Sequence, residues 1–372
     1  LSKVLVSFQF IVSIFLIITT LTVVRQLRYM QDKELGIDYD RTLTFTLRGN
    51  NFAGEPENRL KSKRAFKQRL LSDPSILGVT FVSQLPGKIT NTGSVYYKNE
   101  EELIPLKAIT ADPDFIEIMG IQLKAGRNLS YEMSTDLGQN VLLNEEAVRQ
   151  LGINDPVGKT YSPGRVTIVG VVADFHFNSL HTRIEPVAIR WRHWTNRACI
   201  KIAGSNVSAT IKKIETIFSE FCPGFALEYE FLDESFARQY QAEQQLEKIL
   251  TYFVILAIGL SCLGLFALTA FMAQRKIKEI GIRKVLGSTN TGIVVLLSRN
   301  FAQWILLANV VSWPIAYLVL QAWLQGFAYH ISVGPMVFII SGVLALGIAF
   351  LTIGYQALKA ASSNPADCLR YE

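Results

Sequence analysis

Charged residues are scarce in this sequence, and long stretches contain none. Asp, Glu, Lys and Arg make up 18% of the 372 residues, whereas soluble domains carry about a quarter. Hydrophobic residues account for 49%, and the mean hydropathy is +0.25. This composition is typical of a membrane protein, and the length leaves room for a folded domain beside a membrane bundle.

The net charge of +6 is not gathered into one basic surface. Of the 37 basic and 31 acidic residues, 28 of each lie between Arg25 and Lys248, so the remaining nine basic and three acidic residues carry the excess. That excess lies on short segments that flank the uncharged stretches, which is the positive-inside pattern of membrane proteins. The pattern does not indicate a nucleic-acid partner.

Histidine is also rare, with four residues in the chain. Asp174 and His176 share one face at strand spacing, and His181 follows them, which makes them candidates for metal ligands. Because no further ligand stands at a recognised spacing, we favour structural roles for these residues, as for His193 and His330. The sequence therefore predicts no metal site.

Cysteine is equally rare, with four residues. Cys199 and Cys222 lie in the long segment between the first two hydrophobic stretches, where an oxidising compartment would allow them to pair. Cys262 lies within a hydrophobic stretch and Cys368 near the end of the sequence. Two cysteines are too few for a disulfide framework, so a bond between Cys199 and Cys222 stays an open alternative.

The segment from Gly152 to Thr160 resembles a phosphate-binding loop, but its spacing is wrong. Five residues separate Gly152 from Gly158, where four are required, and the segment follows a helix and precedes a strand, the reverse of the needed order. A turn containing Pro156 and Gly158 is the favoured interpretation. No nucleophile, base and oxyanion site come together elsewhere, so we predict neither catalytic residues nor a cofactor.

Four hydrophobic stretches are long enough to cross a bilayer. The first, 4–24, has about 21 uncharged residues, enough to span a bilayer. A cleaved signal peptide is the alternative. Its apolar core would be shorter, however, and no small-x-small cleavage site lies near Arg25. No charged residue occurs from 300 to 358, about 59 residues and too long for one span. Gly326, Gly334 and Pro335 mark a turn that divides this stretch. Pro314 is expected to kink the third span, and Ser341, Ala345 and Ala349 form a face for close helix packing.

The segment between the first two spans is ordinary globular sequence. Residues 42–47 alternate polar and apolar side chains as a half-buried strand does, and 58–71 form a basic amphipathic helix. Further helices are predicted at 113–119 with Asp112 as N-cap, 145–151 with Asn144 as N-cap, and 207–221. The mixture of helices and strands without a strict βαβ repeat predicts an α+β domain. The other strands are expected at 93–97, 105–110, 141–143, 166–172, 186–191, 199–203 and 226–231.

Two segments join this domain to the rest of the chain. Residues 233–248 are polar, favour helix and contain no Gly or Pro, so we predict one continuous helix that is a stalk first and a span afterwards. After that span comes a short connector with dense charge, in which Lys276, Glu279 and Arg283 fall on one face of a helix. A loop that only fixes topology is the alternative to a docking helix for a cytoplasmic partner.

These observations predict a bundle of four transmembrane helices plus an extracytoplasmic α+β domain. Both ends and the connector lie in the cytoplasm, because the basic segments then fall on one side. The expected boundaries are transmembrane helix 1 at 1–28, the extracytoplasmic domain at 29–232, the stalk at 233–248, helix 2 at 249–274, the connector at 275–299, helix 3 at 300–322, an outside loop at 323–335, helix 4 at 336–358 and a cytoplasmic tail at 359–372.

The residues of the connector resemble a known family. The run from Lys278 to Ser288, KEIGIRKVLGS, is similar to the signature of FtsX-like ABC transporter permeases, and the ending around Asn364 and Pro365 resembles theirs. Segments 141–147, 155–159 and 168–177 resemble the MacB-like periplasmic core domain, in particular the branch common in Bacteroidetes. Members of this branch often carry two such halves in tandem, and the span that follows Leu1 directly resembles the start of a second half.

The resemblance implies a permease subunit that is not an enzyme, since ATP hydrolysis occurs in a separate cytoplasmic ABC ATPase. It implies a multi-pass protein of the bacterial inner membrane that moves its periplasmic domain to export a peptide, antibiotic or lipoprotein. Its partners would be the ATPase, a second permease half or a homodimer partner, membrane lipid and a periplasmic adaptor. The alternative is a signalling scaffold that activates a cell-wall hydrolase or a sensor kinase. The coupling residues implied are Lys278, Glu279, Gly281, Arg283, Lys284 and Gly287.

Overall fold

The computed structural model describes residues 2–85, 94–99, 102–161, 166–275 and 289–361. The chain divides into two compact units. The first, here called the α/β unit, comprises Lys33–Gln241, and the second, the helical unit, comprises Leu1–Asp32 with Ala242–Glu372.

The elements are numbered in chain order. The helices are α1 (Ser2–Asp32), α2 (Pro56–Leu71), α3 (Phe115–Ile118), α4 (Glu145–Leu151), α5 (Val207–Phe221), α6 (Leu232–Ala237), α7 (Gln241–Arg275), α8 (Asn290–Leu324) and α9 (Pro335–Ala361). The strands are β1 (Thr42–Thr46), β2 (Ile76–Val82), β3 (Ser94–Asn99), β4 (Glu102–Thr110), β5 (Leu123–Gly126), β6 (Asn140–Asn144), β7 (Thr160–Tyr161), β8 (Val166–Val172), β9 (Val187–Arg190), β10 (Arg197–Ile202) and β11 (Tyr229–Phe231).

A four-stranded antiparallel sheet forms one half of the α/β unit, in the order β11-β1-β10-β2. Alternate residues of β1, such as Leu43 and Phe45, pack in a core with Phe66 of α2 and Phe218 of α5. Phe45 contacts both of these rings edge-on, with centroid distances of 6.3 and 5.3 Å. The sheet is therefore held by aromatic packing against two helices.

A mixed sheet forms the other half, in the order β3-β4-β9-β6-β8-β5, with β7 also paired to β8. The pairs β4/β9 and β6/β8 are parallel, and the rest are antiparallel. The two sheets meet where β2 and β4 end. There the Asp112 N–H donates to Phe81 O at 3.0 Å, and the Ala111 N–H donates to Arg190 O at 3.0 Å.

Helix α4 shows how the sequence fixes these elements. The Asn144 side chain accepts the Ala147 N–H at 3.0 Å, so it caps the first turn as predicted. Gly152 ends the helix in the left-handed conformation at φ 64°, and its N–H donates to Arg149 O at 3.1 Å. Residues 145–151 are thereby limited to two turns between β6 and the following loop.

The helical unit contains helices that are long and apolar enough to cross a membrane. There are four candidate spans among the described residues, Val4–Asp32, Leu232–Met272, Ala302–Leu324 and Pro335–Gln356. Ser341, Ala345 and Ala349 are buried, and the two alanines lie in the core of the bundle, which confirms the predicted packing face.

Hydrogen bonds of buried polar side chains connect different segments of the bundle. The hydroxyls of Ser13 and Ser261 lie 2.9 Å apart, and Ser312 donates to Ile11 O at 2.9 Å. Gln26 donates to Tyr329 O and accepts the Ile331 N–H, both at 2.9 Å. Such groups must be satisfied inside an apolar medium, so these contacts fix which helices are neighbours.

The structure also corrects several predictions. The sequence analysis does not predict β2, β5 or β7, and the strand expected at 226–231 is limited to Tyr229–Phe231. Asp112 does not cap α3, because the helix begins only at Phe115 and the Asp112 backbone is already paired with β2. A 3-10 turn, Arg238–Tyr240, interrupts the stalk that was predicted as one continuous helix.

Candidate functional site

The predicted coupling residues lie outside the described part of the chain. Helix α7 ends at Arg275, and the described chain resumes at Thr289, just before α8. At the end of α7 the guanidinium of Arg275 lies 4.9 Å from the centroid of the Phe271 ring. The predicted coupling residues outside the described part of the chain are Lys278, Glu279, Gly281, Arg283, Lys284 and Gly287.

The stalk begins inside the core of the α/β unit. We call its first turns, residues 232–240, the stalk base. Phe236 and Tyr240 are both buried, and their ring centroids lie 5.9 Å apart. Phe236 also packs on Tyr39, with 5.2 Å between the centroids. Pairs of this kind add roughly 0.5–1.5 kcal/mol beyond the burial of their area, so the stalk base is held by packing as well as by chain connectivity.

Two tyrosine hydroxyls contact the loop that follows β8, one from the stalk base and one from Tyr39, which packs on it. The Leu180 N–H donates to the Tyr240 hydroxyl at 3.0 Å, and the Tyr39 hydroxyl donates to His176 O at 2.9 Å. The His181 ring stacks on Tyr240, with 5.9 Å between centroids. Burial raises the pKa of Tyr39 well above its usual value, so this hydroxyl stays protonated. The loop and the stalk base therefore form one cluster within the α/β unit.

The same loop begins with a carboxylate that is engaged by α4. Asp174 accepts the Asn144 side chain at 2.9 Å, the Glu146 N–H at 2.8 Å and Arg149 at 2.5 Å. Burial raises the pKa of Asp174, and the Glu146 N–H and the charge of Arg149 oppose this. The structure thus gives Asp174 a structural role at the start of α4.

The three residues considered as metal ligands have separate surroundings. His176 is buried, and burial lowers its pKa to about 4, which keeps the ring neutral. The His181 Nδ1 lies 2.6 Å from the Ser179 hydroxyl. Across the described ranges, no group of three His, Cys, Asp or Glu side chains is arranged to hold a metal ion.

Cys199 and Cys222 are both free thiols in the structure. Cys199 lies in β10, with its sulfur 3.7 Å from the Thr44 hydroxyl, and burial raises its pKa to about 12. Cys222 follows α5 and packs in the core of the four-stranded sheet. Both thiols therefore act as small buried side chains.

The segment that resembles a phosphate loop forms the predicted turn. The Gly158 N–H donates to Ile168 O at 2.7 Å, and the Lys159 N–H donates to Pro156 O at 3.1 Å. Gly158 has a φ of 85°, which favours glycine. The Lys159 ammonium donates to Asn154 O, so its charge is directed back into its own loop.

Two family models match the chain. One, described as a MacB-like periplasmic core domain, matches residues 10–214, more than half of the chain. The other, described as the C-terminal part of FtsX-like permeases, matches residues 251–365. No curated protein matches the chain.

Several solved structures are similar to part of this chain. The periplasmic region of MacB from Actinobacillus actinomycetemcomitans is 16% identical, with 59% of this chain and 97% of that one covered and a TM-score of 0.37. A permease domain from Porphyromonas gingivalis is 16% identical, with 51% and 89% covered and a TM-score of 0.34. The extracellular domain of the transporter YknZ from Gram-positive bacteria is 12% identical, with 51% and 98% covered and a TM-score of 0.35.

Proposed function

This chain belongs to the FtsX-like ABC transporter permeases with a MacB-like periplasmic core domain, and we propose that it transmits movement from a cytoplasmic ATPase to its extracytoplasmic domain. Permeases of this family work with a separate ABC ATPase and are not themselves catalytic. In our proposal the movement serves export or extrusion of a substrate such as a peptide, antibiotic or lipoprotein.

We assign the chain four passes through the bacterial inner membrane, with both ends in the cytoplasm. Residues 29–232 then form the periplasmic domain, and 275–299 form the cytoplasmic connector. The distribution of basic residues supports this arrangement. They fall on one side of the membrane in this topology, namely Arg275, Lys276, Lys278, Arg283, Lys284, Arg299 and Lys359.

The observation that carries the proposal is the stalk base. Its aromatic side chains are buried in the α/β unit, and the chain passes from Tyr240 directly into α7, with no Gly or Pro between residues 232 and 258. Helix α7 contains no Pro, the commonest cause of a sharp kink, and its two glycines, Gly259 and Gly264, lie in its second half. A displacement at the connector would therefore reach the periplasmic domain along α7.

Helix α7 also offers a surface for membrane partners. Only 17% of its most apolar 18-residue stretch is buried by the rest of the chain, whereas the same share is 33–39% in the other three candidate spans. Large side chains such as Tyr252, Leu256 and Leu263 are exposed within the chain. In our proposal, lipid and a second permease half cover this surface, whether in a homodimer or in a tandem protein. A periplasmic adaptor would contact the outer domain.

The coupling residues supply the test. We propose that Glu279 and Arg283 face the ATPase and that Gly281 allows close approach. The Glu279–Arg283 pair at i,i+4 contributes only about 0.2–0.5 kcal/mol to a helix, so Glu279→Lys should leave insertion and folding unchanged. The expected result is loss of permease-dependent stimulation of ATP hydrolysis in lipid nanodiscs.

A matched control is Glu34→Lys, which makes the same charge change at an exposed position in the α/β unit. This variant should stimulate the ATPase as the wild type does. If Glu279→Lys preserves stimulation, the connector only fixes topology and the docking role is wrong. If Glu279→Lys abolishes export of a substrate, the transport function is favoured. If it instead abolishes activation of a hydrolase or kinase, the signalling alternative is favoured.

A further inference from the structure

A cleft in the α/β unit lies beside helix α2, at the junction of the two sheets. Its volume is about 320 Å³, within the range of small-molecule sites. Helix α2 supplies one wall, which includes Lys63, Arg64 and Lys67, and Phe81 at the end of β2 supplies another. The basic amphipathic helix predicted from the sequence therefore lines a cavity.

Lys63 is a buried cation that forms no ion pair in the described part of the chain. Its residue is only 5% exposed, and its ammonium donates to His193 O at 3.1 Å and to the Thr195 hydroxyl at 2.7 Å. It forms no ion pair within 4.0 Å among the residues that the structure describes. Burial lowers its pKa to about 8, with the charge of Arg59 adding to this effect and that of Asp112 opposing it, so it still carries its charge near neutral pH. A buried charge whose hydrogen bonds go only to neutral oxygens is costly, and an anion would offset that cost.

The two other basic residues of α2 that line the cleft are one paired and one unpaired cation. Lys67 forms an ion pair with Asp114 and lies 3.8 Å from Asp112. Asp112 and Asp114 at this end of the cleft are therefore already partnered, since the Tyr131 hydroxyl also lies 2.7 Å from Asp112 Oδ2. Arg64 lies over the Tyr131 ring at 5.7 Å and forms no ion pair in the described ranges.

Positive charge accumulates at the Lys63 end of the cleft. His193, which accepts from Lys63 through its carbonyl, has its pKa lowered first by burial and then by the charges of Arg59, Lys63 and Arg192. These neighbouring cations indicate that an anion would be favourable at this end of the cleft.

The remaining wall is apolar. Trp191 is buried and packs edge-on against Tyr131, with 5.0 Å between the ring centroids, and Phe81 lies under the Lys63 ammonium at 5.8 Å. We propose that this cleft binds a small amphipathic carboxylate, whose acidic group contacts Lys63 and Arg64 and whose aromatic or aliphatic body contacts Phe81, Tyr131 and Trp191. This binding site does not depend on the transmission proposed above.

Dansylglycine, a fluorescent aromatic carboxylate, is a suitable probe. With the full chain in nanodiscs, its emission should rise saturably above that in empty nanodiscs, while the neutral amide dansylglycinamide should bind about tenfold or more weakly. Arg64→Gln and Lys63→Met should each raise the Kd by about tenfold or more, because each removes a charge-assisted contact. Arg64 is exposed, so its variant is not expected to disturb folding.

Lys61→Gln is the matched control, because Lys61 is an exposed cation of α2 that does not line the cleft. Its Kd should equal that of the wild type. The proposal is overturned if no saturable binding occurs, if the neutral amide binds as tightly as the acid, or if Arg64→Gln leaves the Kd unchanged. Should Lys63→Met fail to fold, the comparison of Arg64→Gln with Lys61→Gln decides the outcome. This test needs no ATPase, so it can fail while the transmission proposal holds.

Discussion

Removing the hydroxyl of Tyr240 tests how firmly the stalk base is anchored. The hydroxyl accepts the Leu180 N–H at 3.0 Å, and Leu180 is fully buried. Tyr240→Phe keeps the ring and its packing but leaves this N–H without that acceptor, which costs about 1–3 kcal/mol. Because 1.4 kcal/mol is a factor of ten in an equilibrium constant, local opening should increase by roughly 5- to 150-fold.

Hydrogen exchange of the full chain, measured by mass spectrometry on peptides that contain Leu180, reports this opening. Tyr240→Ala removes a residue that is 4% exposed, and its loss of stability should reach about 3–5 kcal/mol. Tyr229→Ala is the control, since Tyr229 is 44% exposed; its ring contacts Phe231, so its loss should stay within about 1.5 kcal/mol.

The same variants should rank in the same order for ATP-dependent movement of the periplasmic domain. The ATP-dependent movement should be weakest in Tyr240→Ala and stronger in Tyr240→Phe. In Tyr229→Ala it should equal that of the wild type. If Tyr240→Phe exchanges at the wild-type rate, the hydrogen bond does not hold the loop. If Tyr240→Ala opens the loop but leaves movement unchanged, the stalk base is structural and has no part in transmission.

Two further predictions concern charge. Burial raises the pKa of Asp112 from 3.8 to about 6, and the charge of Lys67 opposes this shift. The folded state therefore binds the Asp112 proton more tightly than the unfolded state does. The free energy of unfolding should fall by about 3 kcal/mol as the pH rises from about 4 to 6, and then level off. Urea titrations should show this slope and its loss in Asp112→Asn, and a slope that persists in Asp112→Asn would assign it to other groups. A reporter active only outside the membrane should work at Asn91 and Asn196 and fail at Gly287; activity at Gly287 would contradict the four-span topology.

Elements defined by local signals were predictable from the sequence. Long uncharged stretches predicted the spans, and Asn144 predicted the start of α4, because hydropathy and capping depend on neighbouring residues alone. Strand β2 gave no such signal, since all its residues except Leu77 are buried and Gly78 interrupts the apolar run. A Cβ at Gly78 would lie 2.8 Å from Ile118, so this glycine provides room for α3, a contact distant in sequence.

The stalk base and the cleft depend on such distant contacts. Tyr39 and Phe236 lie far apart in sequence and are brought together by the fold, whereas the spacing of Phe236 and Tyr240 already places both on one helical face. The basic character of α2 was visible in the sequence, but which cation forms no ion pair was not. Asp114 pairs with Lys67 and leaves Lys63 to neutral oxygens, a choice made by tertiary packing.

Breaking α7 between the stalk base and the membrane tests transmission most directly. Gln245 is exposed in α7, so Gln245→Pro should interrupt the helix without disturbing a core, whereas Gln245→Ala should preserve it. The measurement is the ATP-dependent change in hydrogen exchange of residues 175–182 and 232–240, in the complex with its ATPase. We predict that the wild type and Gln245→Ala respond to ATP, while Gln245→Pro loses the response although hydrolysis continues. A wild-type response in Gln245→Pro would contradict transmission along α7.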